Sequence, residues 1–459
     1  MEQMEARFQR FCEIITSALA HADRVKPANL YLQGLVMPGD RKSVEPMAAR
    51  LRPKTVEATH NSMHHLVANA PWSDAAVLEA VAGQVLPELT QDGKAPVYWI
   101  IDDTGTPKKG TESVGVARQY CGQLGKQENC RTAVSLTLAT KDGSVPLHYR
   151  LYLPKEWTDD PTRCRAAGVP VEIGFATKND IARQQIAAAL AAKTARGVVL
   201  ADAAYGDEAD FRDYLTEEQL LYAVGIRPAT GVWWGQHQPA RMPPPSPQGQ
   251  ARTRLVRDED HQPIAVQALA QALPKQLYRT ITWRAGTAEP LSSRFARVRV
   301  RAAHDNHHRE EEWLIIEWPE TEAQPARYFL STLPHNISFK NLVNTIKGRW
   351  RIERDYLELK QEVGLGHYEG RNWRGFHHHA TLCIAAYAFL MLERLRGLDK
   401  TPVDMKRLKY PKYSASAPFA PMQRHVPWSI ATIRFRLAGM IAHTLGINMV
   451  GGRGVRKTA

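Results

Sequence analysis

Hydrophobic positions follow two rhythms along this chain, and the rhythm changes near residue 96. Before it, Phe8, Phe11, Ile14, Ile15 and Leu19 recur at helical spacing, and Arg41–Arg50 is charged around a proline start signal. Residues 1–90 therefore read as a helical unit. Beyond 96, short apolar runs bounded by turn residues read as buried strands. One run, Val97–Ile101, leads into Asp102-Asp103-Thr104-Gly105. Ala133–Ala139 alternates, 141–144 is a turn and Val145–Leu153 returns, which predicts a hairpin. Thr177–Asp180 caps an alanine-rich helix to Ala195, and a second apolar run then ends at Asp202. A helix from Asp207 and a strand over Leu221–Ile226 follow.

The stretch from Asp202 to Glu353 is far longer than one strand and a helix require. Within it, 235–253 is rich in Pro and Gln and reads as an exposed loop. Strand-like runs follow at 277–284, 294–301, 313–318 and 327–331. Arg297, Arg299 and Arg301 alternate with valines, which places three guanidiniums on one face. Such a face is either solvated or laid against phosphate, because like charges in a row repel unless an anion lies across them. Further on, Arg349, Glu353, Tyr356 and Lys360 share one stripe of a helix that extends back to Ile346. Leu357–Leu395 reads as core helices, with His377, His378 and His379 expected at the surface before a buried Ala380–Leu392. That apolar stretch is too short to cross a bilayer.

Charge changes the picture. Sixty Lys and Arg against forty-seven Asp and Glu leave +13 over 459 residues, which favours a polyanionic partner. The length suggests two or three domains. Five cysteines without a C-x-x-C pair argue against a zinc knuckle or a disulfide framework, and they fit a reducing cytosol. The start lacks a signal-peptide pattern, so a soluble, cytoplasmic protein is expected.

The candidate chemistry lies in the acids. Asp102 and Asp202 both end apolar strands, where α/β sheets place ligands, and Glu353 would join them from a covering helix. Three uncompensated carboxylates repel, so the arrangement makes sense if divalent cations sit between them. All-oxygen ligation favours Mg²⁺ or Mn²⁺ over zinc. Adjacent strand residues point oppositely, so either Asp102 or Asp103 faces the ions; Asp102 continues directly from the apolar run. The 349–360 stripe could also be an ordinary helix face carrying i,i+4 salt bridges.

With these residues in view, the chain resembles a DDE-type insertion-sequence transposase of the subgroup marked by a Tyr-x2-Arg-x3-Glu-x6-Lys helix. Arg349, Glu353 and Lys360 match that pattern, whereas Ile346 stands at the tyrosine. The stretches 102–110, 113–120 and 129–131 are similar to one branch of these transposases, and the likeness runs from roughly residue 30 to residue 395.

The order of elements is that of an RNase H-like fold, in which the first and fourth strands are neighbours and would bring Asp102 and Asp202 together. The expected architecture is thus α/β. A helical N-terminal domain (1–90), possibly binding DNA ends, precedes an RNase H-like mixed sheet flanked by helices (91–228). A β-rich insertion (229–340), a returning helical part (341–400) and a C-terminal region with a basic tail (401–459) complete it.

The resemblance implies DNA cleavage at element ends and strand transfer into target DNA. Asp102, Asp202 and Glu353 would be catalytic ligands of two Mg²⁺ or Mn²⁺ ions roughly 3.5–4 Å apart. Arg349 and Lys360 would grip phosphates beside the cut. Trp350 either stacks on an unpaired base or serves as a core ring. Lys108 and Lys109 contact backbone phosphate or face solvent. Pairing two ends suggests a homodimer on DNA, associated with the nucleoid. The alternatives are a metal-dependent nuclease without strand transfer and a catalytically silent DNA-binding derivative.

Overall fold

The computed structural model describes residues 3–90, 96–237, 247–249, 261–285, 290–304, 309–399 and 428–446. Most of the Pro- and Gln-rich stretch and the basic C-terminal tail lie outside them. Five helices open the chain: α1 (Met4–Ser17), α2 (Ala22–Val36), α3 (Val44–Leu51), α4 (Val56–Ala68) and α5 (Asp74–Thr90). Phe8, Phe11 and Ile15 bury one face of α1, while Ile14 stands exposed on another.

Four strands follow: β1 (Tyr98–Pro107), β2 (Ala117–Cys121), β3 (Lys126–Ala139) and β4 (Ser144–Leu151). After the short helices α6 (Lys155–Thr158) and α7 (Pro161–Ala166) come α8 (Lys178–Ala191), β5 (Val198–Ala201), α9 (Ala203–Gly206), α10 (Ala209–Glu217) and β6 (Tyr222–Ile226). The second half holds β7 (Gly231–Trp233), β8 (Ile264–Ala265), α11 (Val266–Ala272), β9 (Arg279–Ala285), β10 (Pro290–Ala302), β11 (Glu312–Glu317) and β12 (Arg327–Ser331). Helices α12 (Phe339–Lys347), α13 (Trp350–Gln361), α14 (Trp373–Asp399) and α15 (Ile430–Thr444) close it. The capping box expected at Thr177 forms at the start of α8, with Thr177 and Asp180 exchanging bonds.

All strands join one mixed sheet, ordered β2-β3-β1-β5-β6-β12-β11-β10-β7-β8, with β4 on β3 and β9 on β10. Only β1–β5 and β5–β6 are parallel among the described pairs. The first and fourth predicted strands, β1 and β5, are indeed neighbours. The strands read as a β-rich stretch continue the same sheet, because β12 pairs with β6 from Tyr328↔Ile226 to Ser331↔Ala223.

The strand alternation sorts the apolar residues into two cores. Trp99, Ile101 and Val199 face the larger, with α8 and α14. Tyr98, Ile100 and Leu200 face the smaller, beneath Ile346 of α12 and Ile352 and Tyr356 of α13. No helix among the described residues is long and apolar enough to cross a membrane.

Candidate functional site

The β1–β5 register positions the first two acids. Tyr98 pairs with Val198, Trp99 with Val199 and Ile100 with Leu200; two residues further on, level with each other, come Asp102 and Asp202. β5 ends at Ala201, and Asp202 caps α9 by accepting the Ala204 N–H at 2.9 Å through Oδ1. This turn packs directly on β6: a Cβ on Gly225 would lie 2.8 Å from Ala203 N and 3.1 Å from the Asp202 carbonyl carbon. β1 itself does not end at Asp102. It leaves β5 there but stays paired to β3 as far as Pro107, with Asp102 opposite Ser135. The sequence showed the end of the apolar run, which is the end of the parallel ladder and not of the strand.

The third acid arrives on α13, which lies along β1. Arg349 donates to Asp102 Oδ2 at 2.6 Å and to Glu353 Oε1 at 3.1 Å. Tyr356 meets the Ser135 hydroxyl at 2.8 Å, and Lys360 donates to the Gly105 carbonyl at 2.8 Å. The stripe predicted from 349 to 360 thus tracks one strand. Its extension to Ile346 is corrected: the helix breaks at Gly348–Arg349, and Ile346 belongs to α12, buried in the smaller core.

The electrostatics follow from burial. The Asp102 carboxyl is pushed up to about 7 by desolvation, opposed by Arg349 and reinforced by Asp202 and Asp103. Burial pulls the Arg349 guanidinium down, but Asp102, Asp202 and Glu353 outweigh it and hold its value above the ordinary one. Asp202, Arg349 and Glu353 line a cleft of about 550 Å³, together with Arg227, Arg284 and Trp350. Asp102 lies behind Arg349 and is not part of that lining.

Asp103 turns the other way. It forms an ion pair with Lys178 at 2.9 Å and accepts from the Tyr205 hydroxyl at 3.3 Å. Of the two adjacent aspartates, Asp102 is the one that meets Arg349.

A divalent ion fits this donor set in chemistry: the carboxylates of Asp102 on β1 and Glu353 on α13 hold the Arg349 guanidinium, with Asp202, the cap of α9, on the same cleft. As they stand, however, no three Asp, Glu, His or Cys side chains among the described residues are close enough to hold one ion. The guanidinium spaces the acids apart.

Other expected contacts fall elsewhere. Lys108 donates to the Tyr368 carbonyl at 2.7 Å, and burial with neighbouring Arg131 lowers it to about 8. Lys109 is exposed. Trp350 lies under the Arg284 guanidinium, 3.9 Å from its ring centre. On β10, Arg297 donates to the Ile337 carbonyl at 2.7 Å. Arg299 and Arg301 face Glu311 at 3.9 and 3.6 Å. The anion across these two is the protein's own.

His377, His378 and His379 are not surface groups, because residues 375–393 of α14 are all buried. His377 accepts the Leu151 N–H, His378 stacks on Trp72 at 3.6 Å, and His379 meets the Tyr31 hydroxyl at 2.8 Å.

One group escaped sequence reasoning altogether. Asp355, on the buried side of α13, accepts from Ser144 at 2.7 Å and from Tyr387 at 2.9 Å. Its spacing within the Ile352, Tyr356, Leu359 stripe was the available signal.

Comparison with known proteins adds two findings. A family model described as DDE superfamily endonuclease matches residues 11–290, a span that holds Asp102 and Asp202 but not Glu353. A protein described as "Probable transposase for insertion sequence element IS701", from Microchaete diplosiphon, is 31% identical over 166 residues. That match covers 36% of this chain and 40% of the relative's length.

Proposed function

The chain belongs to the DDE superfamily endonucleases, and from that premise we propose that it is an insertion-sequence transposase that cleaves the ends of its element and joins them to target DNA. The observation that carries this reading is the Arg349 guanidinium bonded to both Asp102 and Glu353 at the mouth that Asp202 shares. Two of the three acids thereby share one positive charge, and the third lines the same cleft.

In this proposal Asp102, Asp202 and Glu353 hold two Mg²⁺ or Mn²⁺ ions. Bound there, such ions would supply activation of a water or a DNA 3′-hydroxyl and charge stabilisation at the departing oxygen. The chain's own part is positional. α9 and Gly225 fix Asp202, β3 fixes Asp102 through the β1 ladder, and α13 brings Glu353.

Arg349 neutralises the acids until a phosphate in the cleft offers it a competing partner, so it passes from carboxylate to phosphodiester. Lys360, tied to Gly105, and Trp350, on the cleft wall, flank the path of the DNA. Arg349, Glu353 and Lys360 fit the subgroup motif, with Ile346 in place of its tyrosine; the Tyr356 hydroxyl beside Ser135 is the phenol nearest to Asp102 on that helix. Pairing two element ends calls for a homodimer on DNA.

The decisive measurement is Mg²⁺-dependent cleavage of DNA carrying the element's terminal repeats. Asp202→Ala and Glu353→Ala should each abolish it; full cleavage by either variant overturns the assignment. A second reading, a silent DNA-binding derivative, draws on the spacing of the acids around Arg349. Nicking by the wild-type chain rejects it. A nuclease without strand transfer is separated by offering a free 3′-hydroxyl end with a target duplex, since only a transposase joins them.

A further inference from the structure

Trp350 and Arg284 form a wall, and behind that wall lies a second depression, a groove of about 840 Å³. The first cleft opens at the C-terminal ends of β5 and β6, beside Asp202 and Gly225. The second lies at the opposite ends of the same sheet, beside Tyr98 and Val198. Trp283, Arg284, Lys347 and Trp350 line both, so the two depressions are contiguous around a single partition.

Their charges differ. The first cleft mixes acids with bases. The second is lined by Lys141, Arg284 and Arg351, and by no acidic residue among the described ones. Lys347 also reaches it, but its ammonium is held by both oxygens of Glu317 at 2.6 Å. The other three are poorly compensated. Arg284 stacks on Trp350, its Nε is buried without a hydrogen-bond partner, and it joins no ion pair among the described residues. Arg351 donates to the Lys141 carbonyl at 2.7 Å and likewise joins no ion pair among them. Among the described residues the Lys141 ammonium pairs only with the exposed Asp142, at 3.9 Å, a contact of little worth in water.

A groove of this size with three under-compensated cations, aromatic walls and no acid suits a chain of phosphates interleaved with flat rings. At its rim the Ile337 carbonyl receives Arg297 of β10 at 2.7 Å. We propose that this groove holds the backbone of the bound DNA where it continues past the cleaved phosphate, around Trp350 and away from the acids. The inference rests on the DNA-acting reading above and adds to it the route of the strand.

The test uses the full chain and a fluorescein-labelled duplex of about 30 base pairs of arbitrary sequence, because backbone binding is sequence-independent. Anisotropy in EDTA gives affinity from about 50 to about 200 mM salt. Lys141→Glu, an exposed change that spares the fold, should reduce the slope of log K against log salt by about 1, and Lys141→Glu with Arg351→Gln by about 2. Mn²⁺ binding, followed by calorimetry without DNA, should stay within about twofold of wild type, since neither residue touches the acids. An unchanged salt slope in Lys141→Glu, with wild type binding normally, overturns the route. So does normal duplex binding paired with loss only of joining to a second duplex, which would assign the groove to target DNA. Failure of wild type to bind any duplex removes both this inference and the reading beneath it.

Discussion

Helix α13 carries acids on two sides, and the fold treats them in opposite ways. Toward β1, Glu353 keeps 65% of its side chain exposed and is held by the Arg349 guanidinium at 3.1 Å. Toward α14, Asp355 and Glu358 are buried. Asp355 takes two hydroxyls, from Ser144 and Tyr387, and desolvation pushes it up to about 6; Glu358 takes Arg354 at 2.8 Å and the same Tyr387 hydroxyl at 3.1 Å. The back of the helix is fastened by short bonds to two other elements, whereas the front is closed by a contact that a competing charge can open. The difference teaches that a fixed scaffold and a loosely held acid can share three consecutive residues.

The sharpest way to break this contrast is to compare Glu353→Ala with Asp355→Ala. The first should lower cleavage by about a thousandfold or more and leave the urea midpoint where it was. The second should cost about 2 kcal/mol of stability, because in a buried site Ser144 loses its acceptor and Tyr387 is left with Glu358 alone. Equal destabilisation by the two would erase the distinction.

A smaller effect tests the front contact alone. Arg349→Ala removes the competing charge, and Mn²⁺ should then bind about tenfold more tightly in calorimetry, a gain of about 1.4 kcal/mol. Lys360→Ala, bonded to a carbonyl and to Gln123 and not to the acids, should leave that affinity alone. Weaker Mn²⁺ binding in Arg349→Ala would show that the guanidinium assists the ion instead of competing with it.

The mildest effect concerns the scaffold behind α13. Burial pulls His378 down to about 4 and His379 to about 3. The folded state thus refuses protons that the unfolded chain accepts below about pH 6.5, so this contribution to stability is complete above that pH and is lost as pH falls toward about 4 and then about 3. The raised Asp102 and Asp355 carboxyls act in the opposite sense over this range, so the histidine part is read as a difference: between about pH 7 and about pH 5 the urea midpoint of His379→Gln should fall less, or rise more, than that of wild type. A pH slope identical in the variant would remove His379 from the account.

Much of this arrangement was legible in the chain. Apolar runs ending in Asp102 and Asp202 marked two buried strands, and their predicted pairing appears as the β1–β5 ladder. The runs from 277 to 331 correspond to β9–β12. What the sequence hid depends on neighbours remote along the chain. Three consecutive histidines point around a helix in different directions, and exposure is the natural expectation unless every side of that helix is covered, as it is for residues 375–393 of α14. A stripe of alternating arginines does not announce that Glu311, next to the start of β11, will face it. The break before α13 had only Gly348 as its local sign, and the continuation of β1 past Asp102 rests on β3, whose contribution no local pattern records.

The contact between Gly225 and the turn after Asp202 has a consequence for how the molecule can vary. A methyl group at position 225 would be wedged against Ala203 N and the Asp202 backbone, so that turn or the strand beneath it would have to shift. The depth of the carboxylate is therefore written in a residue that has no side chain at all.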